Sequence, residues 1–288
     1  MNSAPSSHFP LARTRGFTLT ELLVVIATVV VLSALLLPVI AGTKPNSQSF
    51  QCLGNLRQLT LGWQMYTMDN FGWFPPNGAE PGQPASLAAA QAGSMPQWCP
   101  GRQDVTTGFL SPDGTPPASN FGDEWIQCGL LYQYVRNVAA YKCPADNATL
   151  SSFGQTLHHS RSVSMNVWLS PNTYFTGISP VPLSYYQESS LVNPGPADTW
   201  VFIDENPNSI NDGCFICGSS GYASWVDCPA SFHNGAGGLA FADGHALLRK
   251  WTDPVVLGAA TKWTSYVAGT TGFPDLNYLE SASTVLPR

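Results

Sequence analysis

The chain begins with a short basic leader, residues 1–16, which is followed by a long apolar run over residues 17–40. The only charged residue in this run is Glu21. A helix of roughly 20 apolar residues is long enough to cross the hydrocarbon core of a bilayer. The pattern therefore predicts a transmembrane helix over residues 17–41, followed by an extracytoplasmic domain over residues 42–288.

A second helix is predicted over residues 48–68. It is separated from the apolar run by G-T-K-P-N-S at residues 42–47, where Pro45 disfavours a continuous helix and Asn46 or Ser47 can cap a new one. Its large apolar side chains recur every three or four residues, at Leu53, Leu56, Leu59, Trp63 and Tyr66. This spacing is typical of a helix that packs one face on a core.

A β-hairpin is predicted near the C-terminal end. Residues 238–242 and 245–251 are strand-like, and Asp243 and Gly244 between them suit a two-residue turn because both accept positive φ. Further short strands are predicted at residues 162–168 and 199–203, and a short helix at residues 125–138. Residues 74–120 are rich in Pro, Gly, Ala and Gln and predict a long loop insertion with a helical piece near residues 85–92. The expected fold class is α+β. The transmembrane helix over residues 17–41 comes first, and the amphipathic helix over residues 48–68 packs on an antiparallel sheet.

The junction between the leader and the apolar run reads R-G-F-T-L-T-E-L-L-V-V-I. This block resembles the N-terminal signature of type IV pilins and of the pseudopilins of type II secretion systems. The resemblance implies that a prepilin peptidase cuts between Gly16 and Phe17 and methylates the new N-terminus. Glu21 is then the fifth residue of the mature chain, where the family has its glutamate.

The chemistry of Glu21 agrees with this resemblance. An ionised carboxylate inside a membrane helix costs on the order of 3 kcal/mol unless it finds a partner. Cleavage creates one in the α-amino group of Phe17, and the family implies that the glutamate pairs with the terminus of an adjacent subunit. The expected partners are therefore the prepilin peptidase, other pilin or pseudopilin subunits and the inner membrane. An ordinary signal anchor with a tolerated acid is the alternative.

A second resemblance lies further along the chain. His233 is separated by nine residues from Asp243-Gly244, and residues 52–76 read C-L-G-N-L-R-Q-L-T-L-G-W-Q-M-Y-T-M-D-N-F-G-W-F-P-P. Both features resemble a large pilin-like family typical of planctomycete and verrucomicrobial genomes. Members often have charged, helix-favouring residues where this chain has residues 42–47, which again predicts a stem broken into two helices.

The charges along the chain predict on which side of the membrane each part of it lies. Arg13 and Arg15 precede the apolar run, which places the leader in the cytoplasm and the rest of the chain in the periplasm or at the cell surface. The full chain has 12 basic and 18 acidic residues, and loss of the two leader arginines leaves 10 against 18, a formal charge of −8. Binding of nucleic acid through a basic surface is not expected.

All seven cysteines lie on the predicted outside, where thiols can oxidise. The preferred pairing joins Cys52 to Cys143, with a local bridge among Cys214, Cys217 and Cys228. An odd number leaves at least one thiol free or paired between chains. The alternative is a zinc site formed by Cys214, Cys217, Cys228 and His233.

Catalysis is not expected. His233, Asp243 and His245 form a tempting cluster, but Asp243-Gly244 is explained by the turn, and His233 by a loop whose imidazole bonds to the hairpin backbone. No nucleophile or oxyanion hole accompanies these residues. Neither a cofactor nor a metal is expected, although Asp204, Glu205 and Asp243 are weak candidates for binding calcium.

The function expected from these features is that of a structural subunit in a type IV pilus-like filament or a type II secretion pseudopilus. The alternative is a binding module, displayed in the membrane or at a filament tip, for an extracellular polysaccharide or a secreted protein. It depends on the long loop and on the nine tryptophans, some of which could form a stacking surface.

Overall fold

The computed structural model describes residues 17–77, 87–103, 122–152, 155–170, 184–219, 222–258, 266–267 and 273–284. In the first helix it describes the side chains up to Leu32 and again from residue 47. The chain divides into two compact units, Met1–Lys44 and Pro45–Arg288.

One helix replaces the two that the sequence predicts. Helix α1 runs from Leu19 to Asp69, so the expected break at residues 42–47 is wrong. A proline inside a helix removes one hydrogen bond and strains the preceding turn, yet the segments on either side favour the helix strongly enough for it to continue. The remaining helices are short: α2 Leu87–Gln91, α3 Asp123–Gln127, α4 Tyr132–Val135, α5 Pro254–Gly258 and α6 Pro274–Ser281, with 3-10 turns at Val138–Tyr141 and Glu188–Ser190.

The transmembrane helix predicted over residues 17–41 is also wrong. Among the described residues, no helix combines the length and the apolar character that crossing a membrane requires.

The described strands form three sheets. The central sheet has the order β5-β3-β4-β8-β9, with β3 Val163–Asn166, β4 Trp200–Asp204, β5 Cys214–Phe215, β8 Ala236–Phe241 and β9 Ala246–Lys250. A smaller sheet has the order β10-β7-β6, with β6 Cys217–Ser219, β7 Tyr222–Trp225 and β10 Tyr266–Val267, and β1 Thr149–Ser152 pairs with β2 Gln155–His158. Because β3 and β5 run parallel, the central sheet is mixed, and the predicted antiparallel sheet is wrong in this respect.

The predicted hairpin forms, but its loop contains three residues, 242–244, rather than two, because the Phe241 N–H donates to the His245 carbonyl at 2.9 Å. Strands β8 and β9 pair antiparallel, with Ala240 opposite Ala246, and the turn between them contains Gly244 at a φ of +97°. A positive φ at this position suits a residue without a Cβ. The helix predicted over residues 125–138 is instead divided among α3, α4 and the 3-10 turn at Val138–Tyr141.

Both faces of the central sheet are covered. The buried face of α1, which includes Leu56, Leu59 and Trp63, packs in one apolar cluster with Val201 and Ala240. On the other face, α5 and α6 pack against residues of β4 and β8 in a second cluster that contains Ile203, Leu239, Val256, Leu276 and Leu279. Strands β3, β4 and β8 are consequently buried at every position.

The described parts of the predicted loop insertion also belong to the core. Phe74, Trp98 and Cys99 are at most 3% exposed, and Trp98 Nε1 donates a hydrogen bond to the Gly213 carbonyl at 2.8 Å. Apolar side chains of this size bury too much surface for the segment to be only a surface loop. The rest of residues 74–120 lies outside the described residues.

A close approach between α1 and the sheet occurs at Gly238 in β8. A Cβ atom on this glycine would overlap Leu56 Cδ1 and lie 2.7 Å from Asp204 Oδ2 and 3.3 Å from Cys52 Sγ. Only a residue without a side chain allows the helix and the end of β4 to meet β8 here.

We predict that Gly238→Ala lowers the free energy of unfolding by about 1–3 kcal/mol, the usual cost of inserting an extra methyl group into a packed core. Chemical denaturation, monitored through tryptophan fluorescence, measures the free energy of unfolding. Gly54→Ala is the matched control. Gly54 lies on α1, and a Cβ added there meets nothing within 4 Å. The control should leave stability unchanged or raise it by up to about 1 kcal/mol, and equal losses in both variants would contradict the close-approach account.

Candidate functional site

Two features of the structure involve the residues singled out in the sequence. The first is the start of α1. Gly16, the predicted cleavage position, lies outside the described residues, and Phe17 is 78% exposed. The Glu21 carboxylate accepts hydrogen bonds from the Thr18 backbone N–H at 2.8 Å and from the Thr18 hydroxyl at 2.7 Å, while the Glu21 N–H donates to the Thr18 hydroxyl at 3.2 Å.

This reciprocal arrangement is a capping box, in which an N-terminal threonine and an acid three residues later satisfy each other's exposed groups. The sequence signal for it is Thr-Leu-Thr-Glu at residues 18–21, directly before an apolar run. Glu21 therefore has a local partner in the uncleaved chain.

The first turns of α1 expose apolar side chains on all sides. The large apolar residues from Phe17 to Leu32 are between 49% and 78% exposed. Because they occur at most positions of this segment, apolar side chains lie on every face of the helix and are in contact with water. Such a surface marks a place of contact with another molecule.

The second feature is a cluster of four side chains: Cys52, Cys143, Asp204 and His233. Cys52 lies on the buried face of α1, and Cys143 follows the 3-10 turn at Val138–Tyr141. Asp204 is the last residue of β4, and His233 lies in the loop before β8. One possible ligand atom from each residue lies within 4.8 Å of the others.

The Cys52 thiol contacts the Asp204 carboxylate, and the Cys143 thiol contacts the His233 imidazole. Cys52 Sγ donates to Asp204 Oδ2 at 2.9 Å, and the Gly238 N–H donates to the same oxygen at 3.1 Å. Cys143 Sγ lies 3.2 Å from His233 Nε2, and Ser49 Oγ lies 3.1 Å from His233 Nδ1. The other oxygen of Asp204, Oδ1, is buried and has no hydrogen-bond partner among the described residues.

Burial governs the electrostatics of these groups. It raises the pKa of Asp204 to about 7, against the hydrogen bonds from Cys52 and Gly238 that lower it. A hydrogen bond with Cys143, together with burial, raises the pKa of the Cys52 thiol, whereas burial lowers the pKa of His233. The site thus disfavours net charge on its side chains when they have only one another as partners.

The seven cysteines are all free thiols, so the predicted disulfides do not form in this structure. Cys52 and Cys143 do lie together, as predicted, but they share their site with Asp204 and His233. The local bridge does not form either, since Cys214, Cys217 and Cys228 are all free and buried.

The predicted zinc set is wrong because its histidine lies elsewhere. His233 joins Cys52 and Cys143, and within the described residues Cys214, Cys217 and Cys228 belong to no group of possible metal ligands. The His233 imidazole was also expected to bond to the hairpin backbone, but it faces Ser49 and Cys143 instead.

The weak calcium candidates do not come together either. Asp204 and Glu205 are consecutive in an extended segment, so their side chains point to opposite faces. Glu205 accepts hydrogen bonds from Ser164 and Ser209, and Asp243 lies in the exposed turn, where it contacts His245. Asp243 and His233 lie at opposite ends of β8, so the spacing that names the family motif does not bring its two parts into one site.

Comparisons of the chain with models of protein families, with curated proteins and with solved structures found no match.

The raised pKa of Asp204 predicts a pH dependence of stability in the presence of a metal chelator. Between about pH 4 and pH 7 the folded protein keeps a proton that the unfolded chain, with a pKa of about 3.9, releases. The free energy of unfolding therefore falls as the pH rises through this window, by about 4 kcal/mol from this group.

Asp204→Asn should remove this contribution, so the difference in stability between variant and wild type should change across the window in urea titrations at several pH values. Asp243→Asn is the control, because hydrogen bonds from His245 lower the pKa of this exposed acid, so its effect is of opposite sign and lies at lower pH. A constant difference between wild type and Asp204→Asn would show that Asp204 does not titrate in this range.

Proposed function

We propose that this chain is a structural subunit of a type IV pilus-like filament or of a type II secretion pseudopilus, assembled through the N-terminal part of α1. The observation that supports this proposal best is the exposed apolar segment from Phe17 to Leu32. It accompanies a sequence block that resembles the processing signature of pilins.

The driving force for assembly is the burial of this segment against the same segment of neighbouring copies. Complete burial of one Val, Leu or Ile side chain contributes about 1.5–3 kcal/mol. Several such side chains per subunit supply enough free energy to offset the loss of freedom on association. When one face of this segment meets a different face of the same segment in the next subunit, the contact does not close on itself and produces an open helical filament.

Glu21 sets the register in this proposal. A carboxylate buried between packed helices is costly unless a positive group pairs with it. The prepilin peptidase creates such a group when it cuts after Gly16, because the α-amino group of Phe17 becomes free. In the filament this amino group of one subunit pairs with Glu21 of the next, and the Thr18 hydrogen bonds hold the carboxylate in position before that contact forms.

The same proposal places the rest of the chain outside the cytoplasm and gives it no enzymatic activity. The alternative role, a module that binds glycans or secreted proteins, loses most of its aromatic support. Every described tryptophan except Trp73 is buried, so these rings serve the core and cannot stack on a sugar.

The processing step predicts a defined mature N-terminus. Full-length protein produced in cells that contain a prepilin peptidase should begin at Phe17 and carry one methyl group on its α-amino nitrogen. Mass spectrometry of the intact protein and of its N-terminal peptide measures both. Gly16→Leu is the control and should retain the leader. Recovery of wild-type protein with its leader intact would contradict the proposal.

The assembly step predicts that Glu21→Gln strongly reduces the number of filaments and leaves cleavage intact. Glutamine can still complete the capping box, so this variant removes the charge and keeps the local structure. Thr18→Ala does the reverse, because it removes the hydroxyl partner and keeps the carboxylate, and it should assemble at a level closer to wild type. Thr20→Ala serves as the neutral control.

Filaments sheared from cells and measured by immunoblotting give the readout, and we expect a loss of at least about tenfold for Glu21→Gln, the effect of roughly 1.4 kcal/mol on an equilibrium. Normal assembly of Glu21→Gln together with failure of Thr18→Ala would mean that Glu21 acts only as a helix cap.

A further inference from the structure

Four side chains with no part in the proposed assembly meet where α1, β4 and the loops at Cys143 and His233 come together. Cys52, Cys143, Asp204 and His233 offer two sulfurs, one oxygen and one nitrogen within 4.8 Å of one another. We propose that these residues bind a structural zinc ion, which joins four segments of the fold at one point. The inference does not depend on the proposed function.

The spacing of the donor atoms suits a tetrahedral ion. Zinc lies about 2.3 Å from thiolate sulfur and about 2.0–2.2 Å from imidazole nitrogen or carboxylate oxygen, so the edges of its tetrahedron measure about 3.3–3.8 Å. The contacts from Cys52 to Asp204, 2.9 Å, and from Cys143 to His233, 3.2 Å, are slightly shorter than such edges. Small side-chain movements outward make room for the ion.

The hydrogen bonds within the cluster show how zinc replaces protons. In the metal-free arrangement one thiol proton points from Cys52 to Asp204, and the Cys143 sulfur contacts the His233 nitrogen that faces the cluster. Binding releases the proton of each thiol, together with the proton that Asp204 holds below about pH 7, and the resulting thiolates, the carboxylate and the neutral imidazole are the forms that coordinate zinc. Every contact that the ion breaks is replaced by a bond to the metal.

An independent observation is the state of Asp204. This side chain is 0% exposed, and its Oδ1 atom has no hydrogen-bond partner among the residues of the described ranges. A buried carboxylate oxygen without a donor is costly, and a bound cation removes that cost. A disulfide between Cys52 and Cys143 would not, since it carries no charge and has no proton to donate.

The surroundings of the ligands also fit a metal site. Ser49 Oγ lies 3.1 Å from His233 Nδ1, so the Nδ1–H can donate to this hydroxyl and leave the Nε2 lone pair facing the cluster. The Gly238 N–H orients the Asp204 carboxylate, and the Cys143 N–H donates to Ser162 Oγ at 2.8 Å and holds that loop. Ligands fixed in this way lose little freedom when the ion binds.

The donor set selects the metal. Two sulfurs and one imidazole are too soft for calcium or magnesium, which prefer oxygen ligands. Four protein ligands fill a tetrahedral zinc site and leave no position open for water, which is the arrangement of structural sites. Cys52 and Asp204 are 152 residues apart along the chain and Cys143 and His233 are 90 apart, so the ion closes large loops.

The test measures zinc in the full chain, purified in detergent under reducing conditions, exposed to Zn²⁺ alone and then freed of loosely held metal. Plasma mass spectrometry should find about one zinc per chain, as four protein ligands around one ion require. Removal of zinc by a strong chelator should lower the thermal midpoint by about 5 °C or more. Cys52→Ser, Cys143→Ser and His233→Ala should each reduce the retained zinc at least tenfold, about the lower limit for loss of a supporting residue.

Cys128→Ser is the matched control, because this thiol is also free but belongs to no cluster of possible ligands within the described residues, and it should retain zinc. Ser49→Ala keeps all four ligands and removes only the partner of His233, so it should weaken zinc binding by about 10- to 100-fold. If a ligand variant fails to fold, zinc binding by Ser49→Ala still tests the proposal. Cobalt gives a further readout, since the thiolate-to-cobalt absorption of wild type should fall by about half in Cys52→Ser, with one of two sulfur ligands removed.

Three results would overturn the proposal. The first is wild-type protein that retains no stoichiometric zinc. The second is a loss of zinc in Cys128→Ser as large as that in Cys52→Ser. The third is a Cys52–Cys143 disulfide, found by peptide mapping of unreduced protein isolated from the cells that produce it.

Discussion

The fold depends on the close contact of α1 with β8 at Gly238. The absence of a Cβ there lets Leu56 and Cys52 approach the sheet, and it lets the Gly238 N–H reach the Asp204 carboxylate. If the glycine carried a methyl group, the helix would move outward and the apolar cluster beneath it would loosen. The cluster of Cys52, Cys143, Asp204 and His233 is a consequence of the same contact, since two of its members lie directly beside this glycine.

The apolar side chains of α1 are buried in one segment of the helix and exposed in another. From Cys52 to Trp63 the apolar side chains recur on one face and are covered by the sheet. From Leu19 to Leu32 they occur at nearly every position and are exposed. A periodic pattern lets a helix bury its apolar surface within its own chain, whereas a continuous one requires another molecule. This contrast is the physical basis for proposing that the first segment serves assembly and the second serves folding.

Local patterns in the sequence predict the local parts of this fold well. The hairpin strands and the glycine at Gly244 are correct because the turn chemistry and the pairing involve neighbouring residues, although the loop is one residue longer than predicted. The stripe from Leu56 to Trp63 is correct for a similar reason. The break at Pro45 is not, because a general preference against proline in helices was outweighed by the segments around it.

The candidate metal site shows the limit of such patterns. Cys52 and Cys143 were expected to meet, but their partners Asp204 and His233 were assigned to calcium and to a different group of cysteines. These residues are brought together by packing between distant segments. Their spacing along the chain does not predict which of them meet. A usable signal existed in Cys52 itself, because it occupies an apolar position of the α1 stripe and must therefore point into the core. Asp204, at the end of a fully buried strand, carried the same signal.

The central claim is that packing around Gly238 brings four ligands to one ion. X-ray absorption spectroscopy at the zinc edge, applied to the purified full chain, tests it most directly. The account predicts two sulfur neighbours at about 2.3 Å and two nitrogen or oxygen neighbours at about 2.0–2.2 Å. A spectrum with nitrogen and oxygen neighbours alone would contradict it, because the ion would then lie away from Cys52 and Cys143.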